Sequence, residues 1–300
     1  MKNQQSSRSG LPTVITGRPA VRTNRNKRRV SDPVLALAIG MFALILLSGF
    51  LGPLVWTQSP IDVDISSTLN PPSFTHPMGT DDTGRDVFAR FLQGAQISIL
   101  LGLAVVAAGV LIGTVIGLLA GMLGGWIDAI LMRVMDAVLA FPALILAMAI
   151  TIALGASLQT AAVGVVVSAI PWYARVVRSE TLRLKSHPTI EAAEAIGATP
   201  TRIVLRHILP HLAPTVIVQA ASAFGAAILG LAALGFIGLG AQIPVPEWGA
   251  MITSGLQYTL TGQWWIGVFP GIGLLLVVVS AGIIADRLRD HLDPRSQVVR

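Results

Sequence analysis

The chain contains no cysteine. Disulfides, thiolate metal sites and thiol nucleophiles are therefore excluded. The redox compartment is left open, because a membrane protein can do without cysteine anywhere. Charge is nearly as scarce. Asp, Glu, Lys and Arg make up 12% of the 300 residues, about half of the roughly 25% carried by a water-soluble domain. Hydrophobic residues make up 53% and the mean hydropathy is +0.72, so most of the surface must face something other than water. Composition overrides the length-based expectation of one or two soluble domains and implies a multi-span membrane protein.

Five stretches hold no Asp, Glu, Lys or Arg: 33–61, 91–127, 137–174, 212–246 and 248–285. A hydrocarbon core of about 30 Å takes about 20 apolar helical residues. The third stretch is too long for one span, and Gly155-Ala156-Ser157 breaks it. Six spans are expected, at 33–55, 95–120, 136–154, 158–177, 215–238 and 266–285. No cleavable signal peptide is expected. The first apolar run begins near Pro33, behind a polar leader, and no small-residue cleavage site follows it.

The basic residues fix the expected orientation. Eight Lys and Arg precede the first span, which by the positive-inside rule places the N-terminus in the cytoplasm. With six spans, all of the 21 Lys and Arg except Arg85 and Arg90 fall on the cytoplasmic side. Five spans would put the basic 175–206 segment outside. The net charge of +6 is thus an orientation signal rather than a nucleic-acid footprint. The leader, 1–30, is rich in Ser, Asn, Thr and Arg and is expected to be a disordered, solvated tail; contact with anionic lipid headgroups is the second reading.

The span interiors carry almost no ionisable groups, which counts against ion-coupled transport and against a channel with a charged ring. The sequence has no G-x-x-x-x-G-K-[ST], no H-E-x-x-H and no G-x-S-x-G, so no catalytic residue is assigned and ATP hydrolysis falls to a partner. Small residues are abundant instead, as in GLLAGMLGG (117–125) and AASAFGAAILGLAALGFIGLGA (220–241). They suit close helix packing in lipid and equally suit helices that line a path.

Between the fourth and fifth expected spans lies a polar interruption, EAAEAIGATPTRIVLRHILP (191–210). Ser186 or Thr189 is expected to cap a helix with Pro188 in its first turn. Glu191 and Glu194 follow near the positive end of the helix dipole. Ile190, Ala193 and Ile196 give a narrow apolar stripe. Gly197 stands where a left-handed C-terminal cap wants no Cβ. Thr199-Pro200 then opens a second helix through Ile203, Val204 and Ile208 to Pro210. The first helix is too short to stand alone and needs a partner surface, on this protein or another. A helix-turn-helix DNA reader is the weaker reading, because the unit is tethered to the membrane on both sides.

These residues resemble the cytoplasmic loop of ABC-transporter permeases: EAA, three residues, Gly, nine residues, then I-x-L-P. Glu191, Ala192, Ala193, Gly197, Leu209 and Pro210 match; His207 departs from the Ile position. HPMGTDDTGRDVFAR (76–90), GGWIDAILMRVMDAVLAFP (124–142), GLGAQIPVPEWGAM (238–251) and DRLRDHLDPR (286–295) resemble segments of the dipeptide, oligopeptide and nickel permeases of ABC importers. The resemblance covers residues 30–295. It implies an all-α membrane protein with six transmembrane helices, the type I ABC importer permease architecture, in a bacterial or archaeal cell membrane with both termini cytoplasmic. After a first span and extracytoplasmic segment (31–92) comes a core of five spans (93–288) holding the coupling loop 179–214, then a tail (289–300). By residue match the six residues named above would carry coupling to an ATPase. The implied partners are a second permease subunit, cytoplasmic ATP-binding subunits, an extracytoplasmic solute-binding protein and membrane lipid. The implied cargo is a di- or oligopeptide. Nickel or another small solute is the alternative, and a non-transporting scaffold that recruits a cytoplasmic partner is the alternative of another class. No cofactor and no resident metal are expected.

Asp81, Asp82 and Asp86 surround Gly84. The calcium-loop spacing D-x-[DN]-x-[DN]-G is absent, so a turn capped by Asp82 or Thr83 is favoured over a cation site. His187, His207 and His211 flank the loop and are read as structural or interface residues rather than metal ligands. Arg133 and Asp136 are spaced to pair on one helix. Trp56, Trp264 and Trp265 are expected as interfacial anchors.

Overall fold

The computed structural model describes residues 33–292. The expected N-terminal tail and the end of the C-terminal tail lie outside the described residues. Helix α1 (Pro33–Val55) leads into an extended segment with one 3-10 turn, Ile65–Ser67. Then come α2 (Val87–Leu123), α3 (Gly125–Leu139), α4 (Ala143–Leu154), α5 (Leu158–Lys185), α6 (Pro188–Ala195) and α7 (Pro200–Ile203). A π turn, Val204–Ile208, joins α7 to α8 (Leu209–Phe236), and α9 (Trp248–Thr259) and α10 (Trp265–Leu292) complete the order. Among the described residues there is no strand beyond one isolated bridge, Thr80 with Asp86.

Among the described residues, five helices are long and apolar enough to cross a membrane: α1, α2, α5, α7 running through to α8, and α10. A sixth pass is made if α3 and α4 count together. They are bent by 90° at a short break, where one straight span over 136–154 was expected. Pro142 supplies no N–H and keeps Phe141 out of the helical region, so the helix stops there. The break at Gly155-Ala156-Ser157 falls where expected. Ser157 and Thr160 form a reciprocal capping box, each backbone N–H bonded to the other's hydroxyl at 3.1 Å.

Close packing concentrates on α2. Gly109, Gly113, Gly117 and Gly121 recur every fourth residue, and all are buried. They face Tyr173, Ala174, Val177 and Thr181 of α5. A methyl at Gly117 would fall 2.5 Å from the Ala174 carbonyl oxygen, closer than any real contact allows. In lipid, helices associate through such backbone approach rather than through hydrophobic expulsion. The main apolar core joins Ile99 and Val105 of α2 to Ile228 and Leu234 of α8, Trp248 of α9 and Val277 of α10. Large apolar side chains such as Leu37, Leu44, Leu111 and Leu275 remain exposed, as a lipid-facing surface requires.

Helix α3 is pinned to α5 by ion pairs. Asp128 accepts both Nε and one terminal nitrogen of Arg178, and Asp136 pairs with Arg175. The expected Arg133–Asp136 pair along one helix is therefore replaced by a pair between helices.

Candidate functional site

The helix–Gly–helix unit is built much as its sequence implies, with three differences. Its N-cap is His187, whose Nδ1 accepts from the Thr189 backbone N–H at 3.3 Å; Ser186 instead closes α5. Gly197 has φ of 82°, the left-handed conformation that disfavours a Cβ. Around it the Ala198 N–H reaches the Ala193 carbonyl at 3.0 Å and the Gly197 N–H reaches that of Glu194 at 2.9 Å, a complete Schellman closure. The apolar stripe is the second difference. Ile190 and Ala193 are buried at 4% and 7%, while Ile196, swung out at the C-cap, is 87% exposed.

The third difference lies beyond Thr199, which caps α7 as expected. The second helix does not end at Pro210. It passes through the π turn, where the Leu209 N–H bonds to the Val204 carbonyl, and continues into the span α8. The wider turn absorbs a residue whose ring would clash with the carbonyl four positions back. A small second core, made by Val177, Leu184, Ile190, Ile203, Ile208 and Leu212, seats the whole unit on α5 and α8. One face is thus satisfied by this protein. The other presents Glu191, Ala192, Glu194 and Ile196 to the outside. Leu209 is half-buried and Pro210 is exposed at the start of α8.

Between α2, α4, α5 and α8 lies a cavity of about 540 Å³. Its α8 wall runs from Gln219 to Gly230, about 16 Å at 1.5 Å per residue. Ala223, Ala226 and Ala227 make that wall smooth, Ser168, Gln219 and Ser222 give the cavity sparse polar groups, and Arg289 of α10 adds one charged group to its lining. The two small-residue runs therefore do different things. Gly117 and Gly121 pack helices, while the α8 run packs on one face through Ile228 and Leu234 and borders the cavity on another through Ser222, Ala223, Ala226 and Gly230. The full four-glycine ladder from Gly109 extends beyond the small-residue run singled out in the sequence, although its i, i+4 spacing is visible there.

At the other end of the molecule, residues 56–86 are tied down as a cap. Asp86, not Asp82 or Thr83, caps α2: its Oδ1 accepts from the Ala89 N–H at 2.6 Å. The same carboxylate accepts from Trp56 Nε1 at 3.1 Å and meets His76 Nδ1 at 2.7 Å. Asp81 is buried beside Arg85, with Nε 2.7 Å away, and beside Arg90 at 3.5 Å. Arg90 also donates to the carbonyls of Pro60 and Pro244. These carboxylates are committed to caps and guanidinium groups, and no grouping that could hold a metal occurs among the described residues. Of the expected tryptophan anchors, Trp264 is exposed, but Trp265 is buried and donates to the Thr80 carbonyl at 3.1 Å. Glu247, 3% exposed, caps α9 through the N–H groups of Gly249 and Ala250 at 2.8 and 2.9 Å, with Ser98 Oγ at 3.4 Å. Burial pushes its carboxyl above the ordinary glutamate range.

Comparison with known proteins agrees with this architecture. Residues 113–298 match the model of the family described as binding-protein-dependent transport system inner membrane component. A probable D,D-dipeptide transport system permease protein of Escherichia coli K12 is 42% identical over 265 residues, covering 88% of this chain and 89% of the relative. A dipeptide transport system permease protein of Alkalihalophilus pseudofirmus is 42% identical, covering 86% of each chain. A glutathione transport system permease protein of Salmonella paratyphi A is 42% identical, covering 89% of each. Among solved structures, a chain of the MetNI methionine ABC transporter in an inward-facing conformation aligns with a TM-score of 0.54 and 24% identity. It covers 68% of this chain and 96% of that one, and the likeness is one of fold. The chain belongs to the family of binding-protein-dependent transport system inner membrane components, the membrane-spanning permeases of ABC importers.

Proposed function

We infer that this chain forms half of the translocation pathway of an ATP-driven peptide importer, and that its α6–Gly197–α7 unit receives the force of ATP-site closure. The observation that carries the coupling role is the split character of α6. Its inner face carries Ile190, which joins the small core with residues of α5 and α8, and the buried Ala193, while Glu191, Ala192, Glu194 and Ile196 face outward. A short helix held at both ends by caps and continuous with a span through α7 moves as a lever. Glu191, Ala192 and Gly197 then act at or beside the docking face, Ala193 from beneath it, and Leu209 and Pro210 at the root of α8.

The cavity between α4, α5 and α8 is the chain's contribution to the path, completed by a second permease subunit. Two ATP-binding subunits dock on the side of α6, and a solute-binding protein loads the opposite side, where residues 56–86 and α9 lie. The asymmetry of Lys and Arg supports cytoplasmic termini. The peptide class follows the relatives, which include dipeptide and glutathione permeases; glutathione is a tripeptide. The smooth, weakly polar wall of the cavity suits a solute whose side chains vary.

The absence of cysteine makes a crosslinking test clean. Ala195→Cys, on the exposed side of α6, is paired with a cysteine in the ATPase cleft. Crosslinking that rises or falls with ATP is expected. Crosslinking indifferent to ATP would leave the unit a mere tether.

A further inference from the structure

A second cavity, about 410 Å³, lies where α5, α6, α8 and α10 meet. Its lining is divided by chemistry. Leu184 and Ile190, both buried, with Leu292 and Pro214, make an apolar floor; Arg183, His187, His207 and His211 make a basic rim. Among the described residues, no Asp or Glu lines it. The nearest acid in contact is Glu180, whose Oε2 meets Arg183 Nε at 2.8 Å and a terminal nitrogen at 2.7 Å, leaving guanidinium hydrogens unused. The imidazoles are oriented by their neighbours. His187 Nδ1 accepts from the Thr189 N–H, so its proton sits on Nε2, which is a donor in any charge state. His211 Nδ1 lies 2.6 Å from the His207 carbonyl and donates to it. The π turn sets where His207 stands, and such turns recur at functional sites.

We propose that this cavity binds the phosphate of an anionic phospholipid headgroup, and that the lipid braces the α6–α7 unit against α10. A rim of one Arg and three His, with no Asp or Glu among the described residues, suits an anion. Arg and the Nε2–H of His187 suit phosphate oxygens. The apolar floor, at the ends of three membrane-spanning helices, suits the glycerol and upper acyl carbons of a lipid and gives nothing to a soluble ion. Basic pockets between spans at the membrane boundary are a known physical solution for lipid headgroups. A lipid seated there touches α6 through Thr189 and Ile190, the π turn through His207 and α10 through Leu292, so its presence stiffens the connection between the docking helix and the spans. This reading does not depend on the cargo.

The test uses the full-length chain in neutral detergent and native mass spectrometry with two probes, phosphatidylglycerol and inorganic phosphate. Phosphatidylglycerol is expected to be retained. Combining Arg183→Gln, His207→Gln and His211→Gln weakens retention by about tenfold or more, and Arg183→Gln alone by about fivefold. The single variant, at a largely solvated side chain, keeps the test open if the triple variant fails to fold. Arg202→Gln, on exposed α7 outside the cavity, retains lipid as the unaltered chain does. Inorganic phosphate bound with the same variant dependence, without lipid retention, would uphold the phosphate site and overturn the lipid as its source. Equal retention in all variants, or an equal loss in Arg202→Gln, would overturn the site itself.

Discussion

A side chain at position 197 must sit on a backbone with φ of 82°, a region that costs a residue with a Cβ about 1–2 kcal/mol and a β-branched one more. No heavy atom lies within 4 Å of where that Cβ would stand, so strain alone, not a clash, opposes substitution. Gly197→Val is expected to reach the membrane at the normal level while transport falls sharply, because the angle between α6 and α7 relaxes. Immunoblotting of membranes beside an uptake assay separates the two. Glu247 gives a second prediction at this scale. Its folded carboxyl holds a proton above the ordinary value of 4.5, so near and above that pH the folded state binds more protons than the unfolded chain. Stability contributed by this group is therefore lost as pH rises from 4.5 towards its raised value. The melting temperature of the purified protein followed against pH should show that fall, and Glu247→Gln should remove this part of it. Some residue roles can be read from sequence because they are local: a glycine after an apolar stripe, a Thr-Pro pair before a helix. The cap at Asp86 cannot, because three nearby aspartates offer equivalent local caps, and the choice rests on Trp56 and His76, 30 and 10 residues away.

Among elements, the two small-residue runs predict opposite responses. At Gly117 an added methyl meets the Ala174 carbonyl at 2.5 Å and Val177 Cβ at 2.8 Å. Gly117→Ala should then destabilise the α2–α5 pair by about 1–3 kcal/mol, measured as a lower melting temperature in detergent. At Gly230 an added methyl meets Val165 methyls at 3.7 Å, an ordinary contact. Gly230→Leu should leave stability close to normal and fill the cavity, so that uptake falls while membrane level holds. Equal stability losses at both positions would mean that Gly230 serves packing rather than space in the cavity. Sequence does not separate these roles, because glycine and alanine at spacings of three and four suit both. Helix existence is legible in the uncharged stretches, and α1 matches its expected limits. The break at Pro142 has a local cause that the sequence carries, but its 90° angle and the pairing of Asp136 with Arg175 do not show there, since the angle is set by tertiary packing and the pair joins residues 39 positions apart.

In the molecule as a whole, the two ends carry different chemistry. One end is a cap in which Asp86 holds residues 56–86 to α2, Tyr258 of α9 donates to Asp82, and Trp265 of α10 donates to the Thr80 carbonyl. The other carries the α6–α7 unit on its own small core. Between them runs a cavity with little charge. Under the proposed function, the cap would be the fixed part, the cavity the path and the α6–α7 unit the part that responds to ATP. The asymmetry of Lys and Arg is legible in the chain itself, because topology responds to charge near span ends and not to tertiary contacts. The most direct measurement is uptake of labelled di- and oligopeptides, with nickel in parallel, in cells with and without this chain. Peptide uptake should vanish on deletion and return with the intact gene but not with Gly197→Val, while nickel uptake is unchanged. Peptide uptake that survives deletion, or a loss confined to nickel, would contradict a peptide permease.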